Sequence, residues 1–179
     1  MPKPIETNWY VVTGGPSSGK TKIIERLAFL GYKIVSEAAR NIIDLELSKG
    51  KTIKEIRADE RQFQRKILKQ KLKVEDKIPS KQLTFFDRGI PDSMAYYQLY
   101  NQDISEVLAA CKKRRYKGVF LLELLSYEND YARIEDEKKA VRLGKLIFES
   151  YSKLGYSVIR VPVGSITKRV KFILNKLKN

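Results

Sequence analysis

The chain of 179 residues carries 36 lysines and arginines against 21 acidic residues, a net charge of +15, with no histidine and one cysteine. Its hydrophobic content of 42% suits one globular domain, residues 1–179, and excludes a disordered chain. Without imidazole, histidine catalysis and most transition-metal sites are excluded, and the lone Cys111 excludes an internal disulfide.

The N-terminus MPKPIETNWY lacks an apolar run followed by a small-residue cleavage site, so it is not expected to be a signal peptide. No stretch of roughly 18 apolar residues occurs, so no transmembrane segment is expected and the expected location is cytoplasmic. The positive charge predicts attraction to polyanions such as nucleotides, nucleic acid or anionic lipid, without choosing among them.

In chain order, NWYVVT at 8–13 reads as a buried strand ending in a glycine turn. The next residues, GGPSSGKT, comprise Gly14, Gly15, Pro16, Ser17, Ser18, Gly19, Lys20 and Thr21. Glycines here let backbone N–H groups turn toward phosphate oxygens, and a helix starting near Gly19 adds its positive end. Lys20 would reach the terminal phosphates and the Thr21 hydroxyl would ligate Mg2+. The required context of strand, loop and helix is met, because Gly19–Leu30 reads as a helix stopped by Gly31.

Tyr32–Val35 reads as a second strand and Ser36–Leu47 as a helix with Ser36 as N-cap. Glu37 and Arg40 stand about one helical turn apart, so they either share a cleft, as general base and acceptor anchor, or form an ordinary surface ion pair. From Ile53 to about Ile78 a charged, periodic stretch predicts one long helix or two broken near Asp59.

LTFFD at 83–87 reads as a third strand that ends in Asp87 and is followed by Arg88. Asp87 would hold the metal or take a proton from the attacking hydroxyl; otherwise it caps the following helix. ATP-hydrolysing machines usually carry a glutamate at the next position to polarise water. Arg88 suits holding a phosphate or an acceptor instead, which favours transfer over hydrolysis. Helices follow over 91–101 and 105–114, where Tyr96, Tyr97 and Tyr100 read as core, one of them a candidate to line an acceptor pocket. The run KKRRYK at 112–117 reads either as a solvated helix end or as a polyanion-docking patch.

GVFLLEL at 118–124 reads as a fourth, buried parallel strand. A lid-like segment near 126–137 follows, in which Arg133 would neutralise charge on the transferring phosphoryl or else pair with Glu135 or Asp136. After a helix at about 135–154, SVIRVPV at 157–163 is the fifth strand and 165–178 the closing helix. Gly164 and Arg169 either border the nucleobase or belong to a tight connection capped by Ser165. No Asn-Lys-x-Asp guanine reader follows a late strand, which disfavours a switch GTPase. Alternating strands and helices predict an α/β three-layer sandwich with a parallel five-stranded sheet.

TGGPSSGKT, SEAARNII, FFDRGIPDS, LLELLSYENDYARIEDE and GYSVIRVPVGSITKRVKFIL together resemble the AAA-like P-loop family. That family groups the ribosylnicotinamide kinase domain of the NAD-regulator protein NadR with the TRPL translocation defect proteins and many uncharacterised predicted ATPases. The resemblance implies the kinase-type strand order 2-3-1-4-5, Mg2+ with ATP or GTP, and an acceptor cleft between the 36–40 and 87–92 regions. It implies that Gly14, Gly19, Lys20 and Thr21 bind phosphates and metal, with Asp87 and Arg88 at the reacting end. Neither the adenylyltransferase module of the bifunctional members nor the accessory domain of the translocation-defect proteins is expected here.

The expected function is a small-molecule kinase that transfers the terminal phosphoryl of Mg-ATP or Mg-GTP to a nucleoside- or ribosylnicotinamide-like acceptor. Glu37, Arg40 and Arg88 would hold the acceptor, and Lys20, Arg88 and Arg133 would neutralise charge. The alternative is a nucleotide-dependent ATPase or GTPase module that gates contact with anionic lipid or nucleic acid.

Overall fold

The computed structural model describes residues 3–125 and 137–177. The expected lid near 126–137, with Arg133, Glu135 and Asp136, lies outside the described residues apart from the helical backbone at 137.

Five parallel strands form the central sheet: β1 (Trp9–Thr13), β2 (Lys33–Val35), β3 (Thr84–Asp87), β4 (Gly118–Leu122) and β5 (Val158–Val161). Their spatial order is 2-3-1-4-5, the kinase-type order. Alternation along β1 feeds both faces of the sheet. Tyr10 and Val12 pack with Ile23, Leu27, Val170 and Ile173 under α1 (Lys20–Phe29) and α8 (Ile166–Lys176). Trp9 and Val11 pack with Ala95, Leu143, Ile147 and Tyr151 under α5 (Ile90–Leu99) and α7 (Glu137–Lys153). The result is a three-layer sandwich, and all five strands end on one side of it. Ligands of open parallel sheets bind outside those carboxyl ends, where the strand order reverses about β1.

The stretch after β2 divides into α2 (Ala38–Ser48), α3 (Ile53–Ile56) and α4 (Glu60–Glu75). The break falls at Asp59, whose carboxylate accepts from the Gln62 amide and caps α4. Thr52 and Glu55 close a capping box on α3. Two local expectations are corrected. Ser36 does not cap α2; Glu37 occupies that position without a side-chain cap bond, and the Ser36 hydroxyl instead accepts from Asn41. The helix expected at 105–114 ends at Cys111 as α6 (Ser105–Cys111), because Arg114 and Arg115 form a short parallel pair with Ile5 and Glu6.

That pairing also explains the basic run. Arg114 donates to Asp76 at 2.7 Å, and Arg115 donates to the Leu154 and Gly155 carbonyls while lying over the Tyr156 ring. Lys117 reaches Asn8. Tertiary contacts therefore engage Arg114, Arg115 and Lys117. Among the described residues, no helix is long and apolar enough to cross a membrane.

Candidate active site

The loop after β1 turns tightly under the end of β4. Gly14 sits at φ +149°, and a Cβ there would lie 2.7 Å from the Leu122 carbonyl oxygen and 2.9 Å from Ser18 Oγ. Only glycine fits such an approach. Ser17 is also left-handed, at φ +60°. Lys20 folds back over the loop, donating to the Gly15 carbonyl at 3.2 Å and to Ser18 Oγ at 3.4 Å. Burial, then the neighbouring Arg88, hold its ammonium down at about 8. Gly15, beside the backbones of Ala140 and Gly144, is also close-packed. Pro16, Ser17, Ser18, Gly19, Lys20 and Thr21 line one end of a cleft that opens to solvent.

The second element follows β3. Val12 and Asp87 are register partners on adjacent strands, so Arg88 emerges beside Gly14. Arg88 adopts φ +68°, uncommon for a residue with a side chain and a form of strain that concentrates at functional sites. Its buried guanidinium is held on three sides. Nε donates to Glu37 at 2.8 Å, and Nη1 donates to the Gly14 carbonyl at 3.1 Å and to Asp92 at 3.2 Å. Burial alone would raise the Glu37 carboxyl, but the charge of Arg88, then Lys20, outweighs it and holds the group at about 2. At that value Glu37 is ionised and a weak base, suited to orienting a hydroxyl and taking its proton late, not to deprotonating it in advance.

Asp92 organises this corner. Its side chain is fully buried and accepts from Arg88, the Gly89 amide at 2.9 Å, Tyr151 at 2.5 Å and the Thr13 hydroxyl. It ties the ends of β1 and β3 to α7. Gly89 is required beneath it, because a Cβ would meet Tyr151 Oη at 2.8 Å and the Tyr116 ring at 2.9 Å.

Asp87 differs from these carboxylates. Its Oδ1 is buried without a hydrogen-bond partner, and burial, then Glu37, push its carboxyl up to about 7. An orphaned, buried carboxylate oxygen suits a hard divalent cation. The described residues hold no cluster of three or more carboxylate, thiol or imidazole ligands. A cation here would thus match the Mg2+ pattern of one carboxylate and a hydroxyl, with substrate phosphates completing its shell.

The far walls of the cleft come from α2, α4 and α5. Arg40 and Ile43 line it from α2, and Phe63, Gln64, Ile67 and Lys71 form a stripe along α4. Ser93 and Tyr96 line it from α5, and Arg57 from the end of α3. Glu37, Arg40 and Arg88 thus share one cleft with the phosphate loop. Of the three tyrosines, Tyr96 reaches the cleft and sits 5.6 Å from the Arg88 guanidinium, whereas Tyr97 is core and Tyr100 meets Arg57.

Sequence reasoning missed Lys71, Gln64, Ser93 and Asp92. The α4 stripe carried a usable signal, since Phe63, Ile67 and Lys71 recur at four-residue spacing on one face. Asp92 lies four residues after Arg88, a spacing that suits a pair across the start of a helix.

Gly164 is exposed beside Lys168, and Ser165 caps α8 by accepting from the Lys168 amide at 3.3 Å. Arg169 is buried behind the phosphate loop. It donates to the Ser18 carbonyl at 2.7 Å and the Glu123 carbonyl at 3.0 Å, linking the loop to the end of β4.

A family model described as an AAA domain matches residues 9–169. No curated protein matches the chain. Among solved structures, deoxyadenosine kinase from M. mycoides with bound dCTP superposes with a TM-score of 0.65 at 19% identity, covering 95% of this chain and 98% of that one. Thymidylate kinase from Candida albicans gives 0.70 at 14% identity, covering 96% and 91%. NadR in complex with NR gives 0.68 at 15% identity, covering 94% of this chain and 49% of NadR, so the chain spans about half of that protein. Likenesses at such identity establish a shared fold, the P-loop kinase fold.

Proposed function

The chain belongs to the AAA domain family whose model matches it, and we propose that it is a small-molecule kinase. In this reading it transfers the terminal phosphoryl of ATP or GTP to a hydroxyl of a nucleoside- or ribosylnicotinamide-like acceptor. The observation that carries the reading is the Glu37–Arg88 pair, which lines one cleft together with the phosphate loop and with the walls from α2, α4 and α5, leaving room for an acceptor beside the donor. A hydrolase needs a water-polarising group beside Asp87; here that position holds an arginine committed to Glu37, Asp92 and Gly14.

Backbone N–H groups of residues 14–21 other than Pro16, together with the start of α1, receive the phosphates, and Lys20 neutralises the terminal ones. Thr21 and Asp87 are the residues that would hold Mg2+, which when bound offsets charge between the outer phosphates. The acceptor hydroxyl donates to Glu37, which aims its lone pair at the terminal phosphorus. The acceptor O–P bond forms, the bond to the leaving diphosphate breaks, and the hydroxyl proton passes to a carboxylate as transfer completes. A loose transition state asks for positioning more than for a strong base, so a carboxyl held at about 2 suffices.

An ADP-release screen over nucleosides, ribosylnicotinamide and short sugars, with Mg-ATP and Mg-GTP as donors, tests the reading. Acceptor-dependent turnover lost in Lys20→Ala supports it. Acceptor-independent hydrolysis alone, also lost in Lys20→Ala, refutes it.

A further inference from the structure

Five cations line the cleft, and four of them, Arg88, Arg57, Lys20 and Lys71, divide by the charge of their direct partners. Arg88 is matched by Glu37 and Asp92, and Arg57 by Glu60, so their charges are balanced within the protein. Among the described residues the Lys20 and Lys71 ammoniums donate only to neutral oxygens. For Lys20 the phosphates of the donor explain this. Lys71 repeats the arrangement on the wall built by α4 and α5, where no phosphate loop lies.

Lys71 is 9% exposed and lines the cleft. Its ammonium donates to the Gly89 carbonyl at 2.7 Å and to Ser93 Oγ at 3.2 Å. Among the described residues no carboxylate pairs with it directly. An ammonium has three N–H donors, and the two neutral contacts fix the head while leaving the third. Ser93 is also buried and lines the cleft; its oxygen accepts from Lys71, which leaves the hydroxyl proton to donate. A buried ammonium whose direct partners are all neutral, with Asp92, Glu37 and Glu75 acting on it only through space, gains from a ligand that completes its shell. The wall therefore offers two donors at one spot, framed by the apolar side chains of Phe63 and Ile67.

We infer that Lys71 and Ser93 form the specificity subsite for the acceptor, and that the acceptor is a flat ring bearing a carbonyl or carboxylate oxygen there. The inference rests on the kinase reading above and names its substrate class more narrowly. A ring presenting an amino group at that position sets donor against donor and leaves the lysine unpartnered, so it is rejected.

Acceptor pairs that differ only at this group provide the test: uridine against cytidine, inosine against adenosine, and ribosylnicotinamide against the riboside of unsubstituted pyridinium. In wild-type protein, kcat/KM for the carbonyl member of the pair that is used exceeds that of its partner by about tenfold to a hundredfold. In Lys71→Met the ratio collapses to within about threefold, chiefly through loss of the carbonyl member, and Ser93→Ala lowers it partway. The ratio is the readout because general damage to α4 lowers both members alike and leaves it unchanged. A wild-type preference for the amino or unsubstituted members, or a ratio unmoved by Lys71→Met, overturns the inference and leaves the kinase reading standing. Nucleotide binding without phosphorylation of any member overturns both.

Discussion

Arg88 Nε donates to Glu37 Oε1 across 2.8 Å, joining the segment after β3 to the first residue before α2. Two stretches about fifty positions apart thereby become one wall of the cleft. Arg88→Met leaves two carboxylates without their cation and should lower the unfolding free energy by about 3–5 kcal/mol. Glu37→Gln keeps an oxygen for Arg88 and should leave the fold intact while reducing transfer by at least about 100-fold. The double variant should be less destabilised than the sum of the two. Chemical denaturation of the four proteins, with transfer rates, checks all three outcomes.

Arg169 makes a separate prediction because it touches the phosphate loop from behind. Arg169→Met removes donors from the Ser18 and Glu123 carbonyls, so the loop loses its tether to the end of β4. The nucleotide Kd should weaken about tenfold and stability should fall by about 1–3 kcal/mol. The KM for the acceptor should stay unchanged. Titration with a fluorescent nucleotide, beside acceptor kinetics, separates the two effects.

Asp87→Asn isolates the metal. Its orphaned oxygen becomes neutral while its volume is kept, so nucleotide binding in the presence of a chelator should be unchanged. The Mg2+ concentration needed for half-maximal transfer should rise at least about tenfold.

The sequence carried the central architecture because it lies in local signals: an apolar strand, a glycine loop, a helix with a stripe, repeated around the sheet. The 2-3-1-4-5 order came from resemblance, and the register of Val12 with Asp87 agrees with it. What stayed hidden depends on distant partners. Lys71 sits in a helix rich in lysine, and only its approach to Gly89 and Ser93 distinguishes it from its solvated neighbours. The basic run at 112–117 reads as surface charge until Asp76 and the carbonyls of Leu154 and Gly155 are brought to it. Ser36 has the chemistry of an N-cap, but the ion pair to Arg88 holds Glu37 at that position.

Glu75 gives the pH prediction. Burial pushes its carboxyl from 4.5 up to about 7, against the hydrogen bond from Tyr116. A carboxyl with a raised folded value binds its proton in the folded state first, so the unfolding free energy falls as pH rises from about 4.5 to about 7. Asp87 acts in the same direction over a similar window. Glu75→Gln removes one of the two contributions, and its stability should decline by about 1–3 kcal/mol less than that of wild type between about pH 5 and pH 7.5. Denaturation at the two pH values, without metal or nucleotide, measures the difference.

The central claim is that the terminal phosphoryl goes to an acceptor and not to water. Radiolabelled terminal phosphoryl on ATP, incubated with Mg2+ and a mixed pool of nucleosides and ribosylnicotinamide, decides it by partition between organic phosphate and free phosphate. Most of the label should appear on an acceptor, and it should vanish from there in Glu37→Gln. Label released only as inorganic phosphate, at a rate indifferent to the pool and to Glu37→Gln, would contradict the account.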